Sequence, residues 1–140
     1  MKSKASAVWK GDLKGGEGHI STKSSALNDV SYTFKTRFEG ADGTNPEELV
    51  AAAHAGCYSM ALSNILATSD MTPESVSTDA TVTLEMLEGG PTVTNVHLVV
   101  KASVPGATEE AFMEAANKAK EGCPISRLLN ADITMDASLL

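Results

Sequence analysis

From Leu49 to Ala67 the chain carries no formal charge, yet the span is not uniformly apolar. His54, Gly56, Ser59, Ser63 and Asn64 interrupt it, and many of the remaining side chains are Ala. A helix start stands just ahead of it. Asn45 is a good N-cap, Pro46 suits the first helical position, and Glu48 closes a capping box. The pattern predicts one helix from Pro46 to about Ser69, with Thr72-Pro73 in the link that follows. The polar interruptions fit a helix buried in protein rather than in lipid. Its small side chains let another backbone come close.

Strand patterns surround this helix. Residues 4–10 alternate weakly, Gly11-Asp12 and Gly15-Gly16 mark turns, and Glu17 to Thr22 reads as a second strand. Val30 to Phe38 alternates more clearly, with Val30, Tyr32, Phe34, Thr36 and Phe38 on one face and Ser31, Thr33, Lys35 and Arg37 on the other. Beyond the helix, Val76 to Leu87 and Thr92 to Val104 read as two long strands rich in Thr and Val, joined by Glu88-Gly89-Gly90-Pro91. Thr108 opens a second helix running to about Lys120 and ended by Gly122. Cys123-Pro124 starts a short third helix over ISRLLN. Asp132 to Leu140 closes the chain as a strand. Strands, helix, strands, helices and strand in that order predict an α+β fold. A length of 140 residues suits a single domain, 1–140.

Charge narrows the function classes. Eighteen acidic against 11 basic side chains give a formal charge of −7, opposite to the balance of a nucleic-acid binder. No run of Lys or Arg offers a patch for an anionic membrane. The opening MKSKASAVWKGDLKGG has no apolar h-region, so the expectation is a cytoplasmic protein without a secretory signal. The two cysteines are too far apart for a zinc knuckle and too few for a disulfide scaffold. His19 and His97 fall in strands without ligand spacing, so no metal site is expected.

Free thiols in a reducing compartment are packing groups or chemistry. Cys57 lies inside the long helix, where a cysteine among Ala and Met commonly packs as a small hydrophobe. Cys123 stands at a helix N-cap before Pro124, where the helix N-terminus favours a thiolate. His54 is three residues before Cys57, on the same helix face, so a Cys–His thiol hydrolase is one reading and a satisfied core or interface histidine the other. Arg37 is assigned to the polar face of a strand. Glu47 and Glu48 are first-turn acids that complement the helix dipole.

Three segments together are more specific. Thr36-Arg37-Phe38-Glu39-Gly40, then Gly43-Thr44-Asn45-Pro46-Glu47-Glu48-Leu49, then Ala51 to Ser63 (AAAHAGCYSMALS) strongly resemble the OsmC/Ohr family of peroxidases. Lys118 to Ser126 (KAKEGCPIS) is similar to the family's second cysteine segment. Trp9, Gly11-Asp12, Gly16-Glu17-Gly18 and Ser21-Thr22 also fit, so the resemblance covers essentially the whole chain. It implies the family's fold, with antiparallel sheets packed around a long central buried helix in an intertwined homodimer.

The resemblance also implies a chemistry. Cys57 would be the peroxidatic cysteine, attacking a hydroperoxide and becoming a sulfenic acid. Cys123 would be the resolving cysteine, condensing with it to a disulfide. An external dithiol, with a lipoyl protein among the candidates, would restore both thiols, and no cofactor would be needed. The family's assisting Arg and Glu fall on Arg37 and Glu47. Helix geometry separates the two neighbouring acids: Glu48 is nine residues before Cys57, about 900° away and on the opposite face, whereas Glu47 is about 80° away around the axis. Ten residues of helix nevertheless rise about 15 Å. Either the helix breaks near Gly56, or Arg37 and Glu47 serve Cys57 of a second subunit. A cleft lined by Met60 and Leu62 would suit an organic hydroperoxide better than hydrogen peroxide, in a role against oxidative and osmotic stress. The rival readings are the Cys57/His54 hydrolase and a non-enzymatic dimeric stress or ligand-binding protein.

Overall fold

A computed structural model describes residues 1–140. Its contacts divide the chain into two compact units, Met1–Leu49 and Val50–Leu140.

The first unit begins as an antiparallel meander of β1 (Ala5–Lys10), β2 (Glu17–Thr22) and β3 (Val30–Thr33). Trp9 organises it. Its indole Nε1 donates to the carbonyls of Gly11 and Asp12 at 3.1 and 3.2 Å, closing the β1–β2 turn. Its ring lies 5.4 Å from that of Tyr32, and Gly18 sits beneath both. A Cβ at Gly18 would collide with the two rings, so the close approach requires glycine there.

The third strand is shorter than its alternation predicts. It stops at Thr33, and Phe34–Phe38 form a helical turn, α1. The cause is local hydrogen bonding. The Thr33 hydroxyl accepts from the Thr36 N–H at 3.2 Å, and the Thr36 hydroxyl accepts from the Thr33 N–H at 3.0 Å. This reciprocal box caps the helix, and Phe34 and Phe38, one turn apart, bring their rings to 4.8 Å. Arg37 is therefore helical and not on a strand face.

Asn45 ties α1 to the next element. Its Nδ2 donates to the Thr36 carbonyl at 3.2 Å, and its Oδ1 accepts from the Glu48 N–H at 2.9 Å. The second bond is the expected N-cap of α2 (Pro46–Thr68), which runs unbroken through Gly56.

In the second unit, β4 (Ser75–Leu87) and β5 (Gly90–Ser103) form a long antiparallel hairpin. Its turn is only Glu88-Gly89, because Gly90 and Pro91 already pair with Leu87 and Met86. α3 (Glu109–Gly122) follows, with the Thr108 hydroxyl accepting from the Ala111 N–H as its N-cap. α4 (Pro124–Leu128) follows at once, and β6 (Asp132–Leu139) returns on the far side of β5. β6 runs parallel to β5, so this sheet is mixed rather than wholly antiparallel. The helices between the two strands supply the crossover that a parallel pair needs.

Alternate residues of β5 make the floor of the core: Val96, Leu98, Val100 and Ala102 are all fully buried. Phe112, Ala115, Ala116 and Ala119 of α3 cover it. From α2 the chain buries a stripe spaced by four, His54, Tyr58, Leu62 and Leu66. Tyr58 donates its hydroxyl to the Ala116 carbonyl at 3.1 Å, satisfying the one polar atom of a fully buried ring. The opposite stripe, with Ala52, Gly56 and Met60, stays exposed. A single chain thus buries one side of α2 and not its whole circumference.

Candidate active site

The four residues singled out from the sequence fall into two pairs, one in each unit. Arg37 and Glu47 meet in the first. Arg37 Nε donates to both Glu47 carboxylate oxygens, at 3.2 and 3.1 Å, and Nη2 donates to Oε1 at 2.7 Å. The fork is charge-assisted and bidentate. It leaves Nη1 outside the pair. The short helix α1 sets Arg37, the first turn of α2 sets Glu47, and Asn45 holds those two elements together. Glu48, one residue on, is exposed and contributes its N–H to the Asn45 cap.

Cys57 and Cys123 meet in the second unit. Their Sγ atoms lie 3.0 Å apart, and both are free thiols. Cys57 is half-buried on α2, and Cys123 is completely buried at the α3–α4 junction. Burial pushes the Cys57 thiol above its ordinary range, and the Cys123 thiol beside it adds to the rise. The backbone N–H of Ile125 pulls the other way by hydrogen bonding to the Cys57 sulfur.

Cys123 itself stands at the start of α4. From the sequence, the N-terminal field of that helix belongs to Cys123. In the structure Cys123 is the N-cap residue of α4 and makes no side-chain capping bond. The Cys-Pro junction marked this turn in the sequence. Which sulfur it faces is a tertiary matter.

His54 is fully buried, and burial lowers its pKa. Its Nε2 lies 2.7 Å from Ser126 Oγ, and its Nδ1 has no partner. The histidine thus engages Ser126 and not the Cys57 thiol, which removes the base that a Cys57/His54 hydrolase needs. Ser126 was not singled out as a site residue. Met60 and Leu62 do not line one cleft: Leu62 is in the core, while Met60 is 76% exposed. Two helical steps are about 200°, which sends the pair to opposite faces.

A family model described as OsmC-like protein matches residues 39–138. The chain belongs to the OsmC-like protein family. Among relatives of this OsmC-like chain, Peroxiredoxin OsmC of Escherichia coli is 48% identical over 139 residues, covering 99% of this chain and 97% of that one. The Organic hydroperoxide resistance protein of Xanthomonas axonopodis pv. citri is 30% identical over 125 residues, with 86% of each chain covered. The crystal structure of the Organic Hydroperoxide Resistance Protein OhrB of Bacillus subtilis superposes with a TM-score of 0.72 at 25% identity, covering 96% of this chain and 98% of that one. The OsmC-like match crosses Leu49 and so draws on both units.

Proposed function

We propose that this chain is a thiol-dependent peroxidase that reduces organic hydroperoxides, with both units working as one domain. The observation that carries the reading is the Cys57–Cys123 pair, with sulfurs 3.0 Å apart and only Cys57 reaching the surface. The kinship with a peroxiredoxin and with an organic hydroperoxide resistance protein supports it.

The Cys57 thiolate attacks the terminal oxygen of the hydroperoxide. The O–O bond breaks, the alkoxide leaves and takes a proton as alcohol, and Cys57 becomes a sulfenic acid. Cys123 sulfur then attacks Cys57 sulfur. The S–O bond breaks, and hydroxide leaves with the Cys123 proton as water. A disulfide remains, and an external dithiol reduces it by two thiol–disulfide exchanges. A lipoyl protein is a reductant of that class. The cytoplasm is the compartment that keeps such thiols reduced.

Chemistry at Cys57 needs the thiolate, while its immediate surroundings favour the thiol. A guanidinium against the sulfur corrects this. α2 is continuous through Gly56, so Glu47 and Cys57 of one helix are separated by about 15 Å of rise. We therefore assign Arg37, oriented by Glu47, to Cys57 of a second copy in a homodimer. The exposed stripe of Ala52, Gly56 and Met60 supports close approach of that copy.

The test is consumption of cumene hydroperoxide with dithiothreitol as reductant, compared with hydrogen peroxide. Catalytic turnover with a higher kcat/KM for the organic substrate is expected. A higher value for hydrogen peroxide would overturn the substrate preference, and absence of turnover with either would overturn the peroxidase.

A further inference from the structure

Two contacts join α2 to the start of α4. One is Cys57–Cys123, and the other is His54–Ser126 at 2.7 Å. They are related by position: His54 lies three residues before Cys57, and Ser126 three residues after Cys123. The two segments therefore run antiparallel, and each contact lies about one turn from the other.

The His54–Ser126 contact is the one side-chain hydrogen bond His54 makes. His54 is fully buried and Ser126 is 7% exposed. His54 Nδ1 has no hydrogen-bond partner. A buried polar nitrogen left bare costs free energy that an apolar side chain of the same volume would avoid. The one bond of His54 fixes the turn that carries Cys123 at its head and Ile125 in its interior.

We propose that His54 and Ser126 are positioning residues for the resolving step, clasping α4 to α2 so that Cys123 Sγ stays in line to attack the oxidised Cys57 sulfur. This rests on the peroxidase reading above. In that step Cys123 sulfur bonds to Cys57 sulfur as the S–O bond of the sulfenic acid breaks, and water leaves. Neither clasp residue exchanges a proton or an electron with the sulfurs. Their contribution is geometric, and a misplacement of about 1 Å costs a reaction of this kind about 100-fold.

The experiment follows the two steps separately in wild type, Ser126→Ala, Ser126→Thr, His54→Ala and His54→Gln. Loss of the Cys57 thiol with cumene hydroperoxide reports the first step. Disulfide formation reports the second, and dimedone captures sulfenic acid that has not been resolved. Ser126→Ala and His54→Ala are expected to slow disulfide formation at least about 10-fold while the first step falls much less, so that dimedone adducts accumulate. Ser126→Thr keeps the hydroxyl, and His54→Gln keeps an amide nitrogen near the Nε2 position. Both are expected to recover most of the resolving rate.

A parallel arm uses diamide, which oxidises the dithiol to the same disulfide while being reduced to its hydrazine. The clasp variants are expected to close more slowly there too. If wild type ignores cumene hydroperoxide, the peroxidase reading fails, and the diamide arm alone decides the clasp. Disulfide formation in Ser126→Ala as fast as in wild type overturns the proposal. So does equal slowing of both steps without rescue by the conservative variants. Should His54→Ala fail to fold, Ser126→Ala, which removes a single oxygen, carries the test.

Discussion

Cys57 and Cys123 stand 66 positions apart in the chain, and their sulfur atoms lie 3.0 Å apart. The pair is asymmetric, because Cys57 reaches the surface and Cys123 does not. On the proposed reading, a hydroperoxide arriving from solvent would meet Cys57, and Cys123 would meet only the oxidised Cys57. Cys57→Ser is expected to abolish peroxide consumption outright. Cys123→Ser is expected to keep the first oxidation and lose recycling through the disulfide. Single-turnover and steady-state rates in dithiothreitol separate the two. Loss of the first turnover in Cys123→Ser would show that the roles are misassigned.

The Arg37–Glu47 pair makes a prediction about pH. Burial raises the Cys57 pKa, so the thiolate fraction grows as pH rises, and a nearby guanidinium moves that growth to lower pH. Arg37→Ala is expected to shift the rise of kcat/KM with pH upward and to lower kcat/KM near neutrality by about 100-fold. An unchanged profile would remove Arg37 from the site. Mixing Arg37→Ala chains with Cys57→Ser chains tests the assignment to a partner copy. If Arg37 serves Cys57 of the other copy, each mixed dimer holds one complete site and activity is expected to return. Mixed dimers that form and stay inactive would sink the assignment.

His54 gives a stability prediction with a definite sign. Its pKa is lowered by burial from an ordinary value of 6.5, so below that pH the unfolded chain binds a proton that the folded chain refuses. The penalty for keeping His54 neutral is absent above pH 6.5 and grows as pH falls toward its folded pKa, so stability is lost on acidification. His54→Gln lacks this titration. Its urea midpoint is expected to fall less than that of wild type between about pH 7.5 and about pH 5.5. Parallel declines would show that His54 is not held neutral.

Tyr58 anchors α2 to α3 through its hydroxyl on the Ala116 carbonyl. Tyr58→Phe keeps the ring and loses that bond, and a loss of about 1 kcal/mol in urea unfolding is expected. No loss would mean that the bond contributes nothing to stability.

Much of this was legible in the sequence because its signals are local. Asn45 and Thr108 cap helices where their residue types and neighbours say they should. The Thr- and Val-rich run of 92–104 reads as a strand, and the structure has β5 there, with Val96, Leu98 and Val100 buried. What was missed depends on partners. VSYTFKTRF alternates as a strand should, but the Thr33–Thr36 box turns its second half into a helix. A strand's own residues do not say which neighbour it joins, so the parallel seat of β6 was not legible. Cys123-Pro124 marks the start of α4, yet nothing local says that the Cys123 sulfur lies against a sulfur of another helix. Ser126 stands in the sequence only as the end of the second cysteine segment, because its contact is with a histidine 72 residues away.

The most direct test of the central claim is intact mass with a free-thiol count after one equivalent of cumene hydroperoxide, on wild type and Cys123→Ser. Wild type is expected to lose two hydrogens and both thiols. The variant is expected to lose its one thiol and gain one oxygen, captured by dimedone on Cys57. Both thiols intact with the mass unchanged would contradict the account.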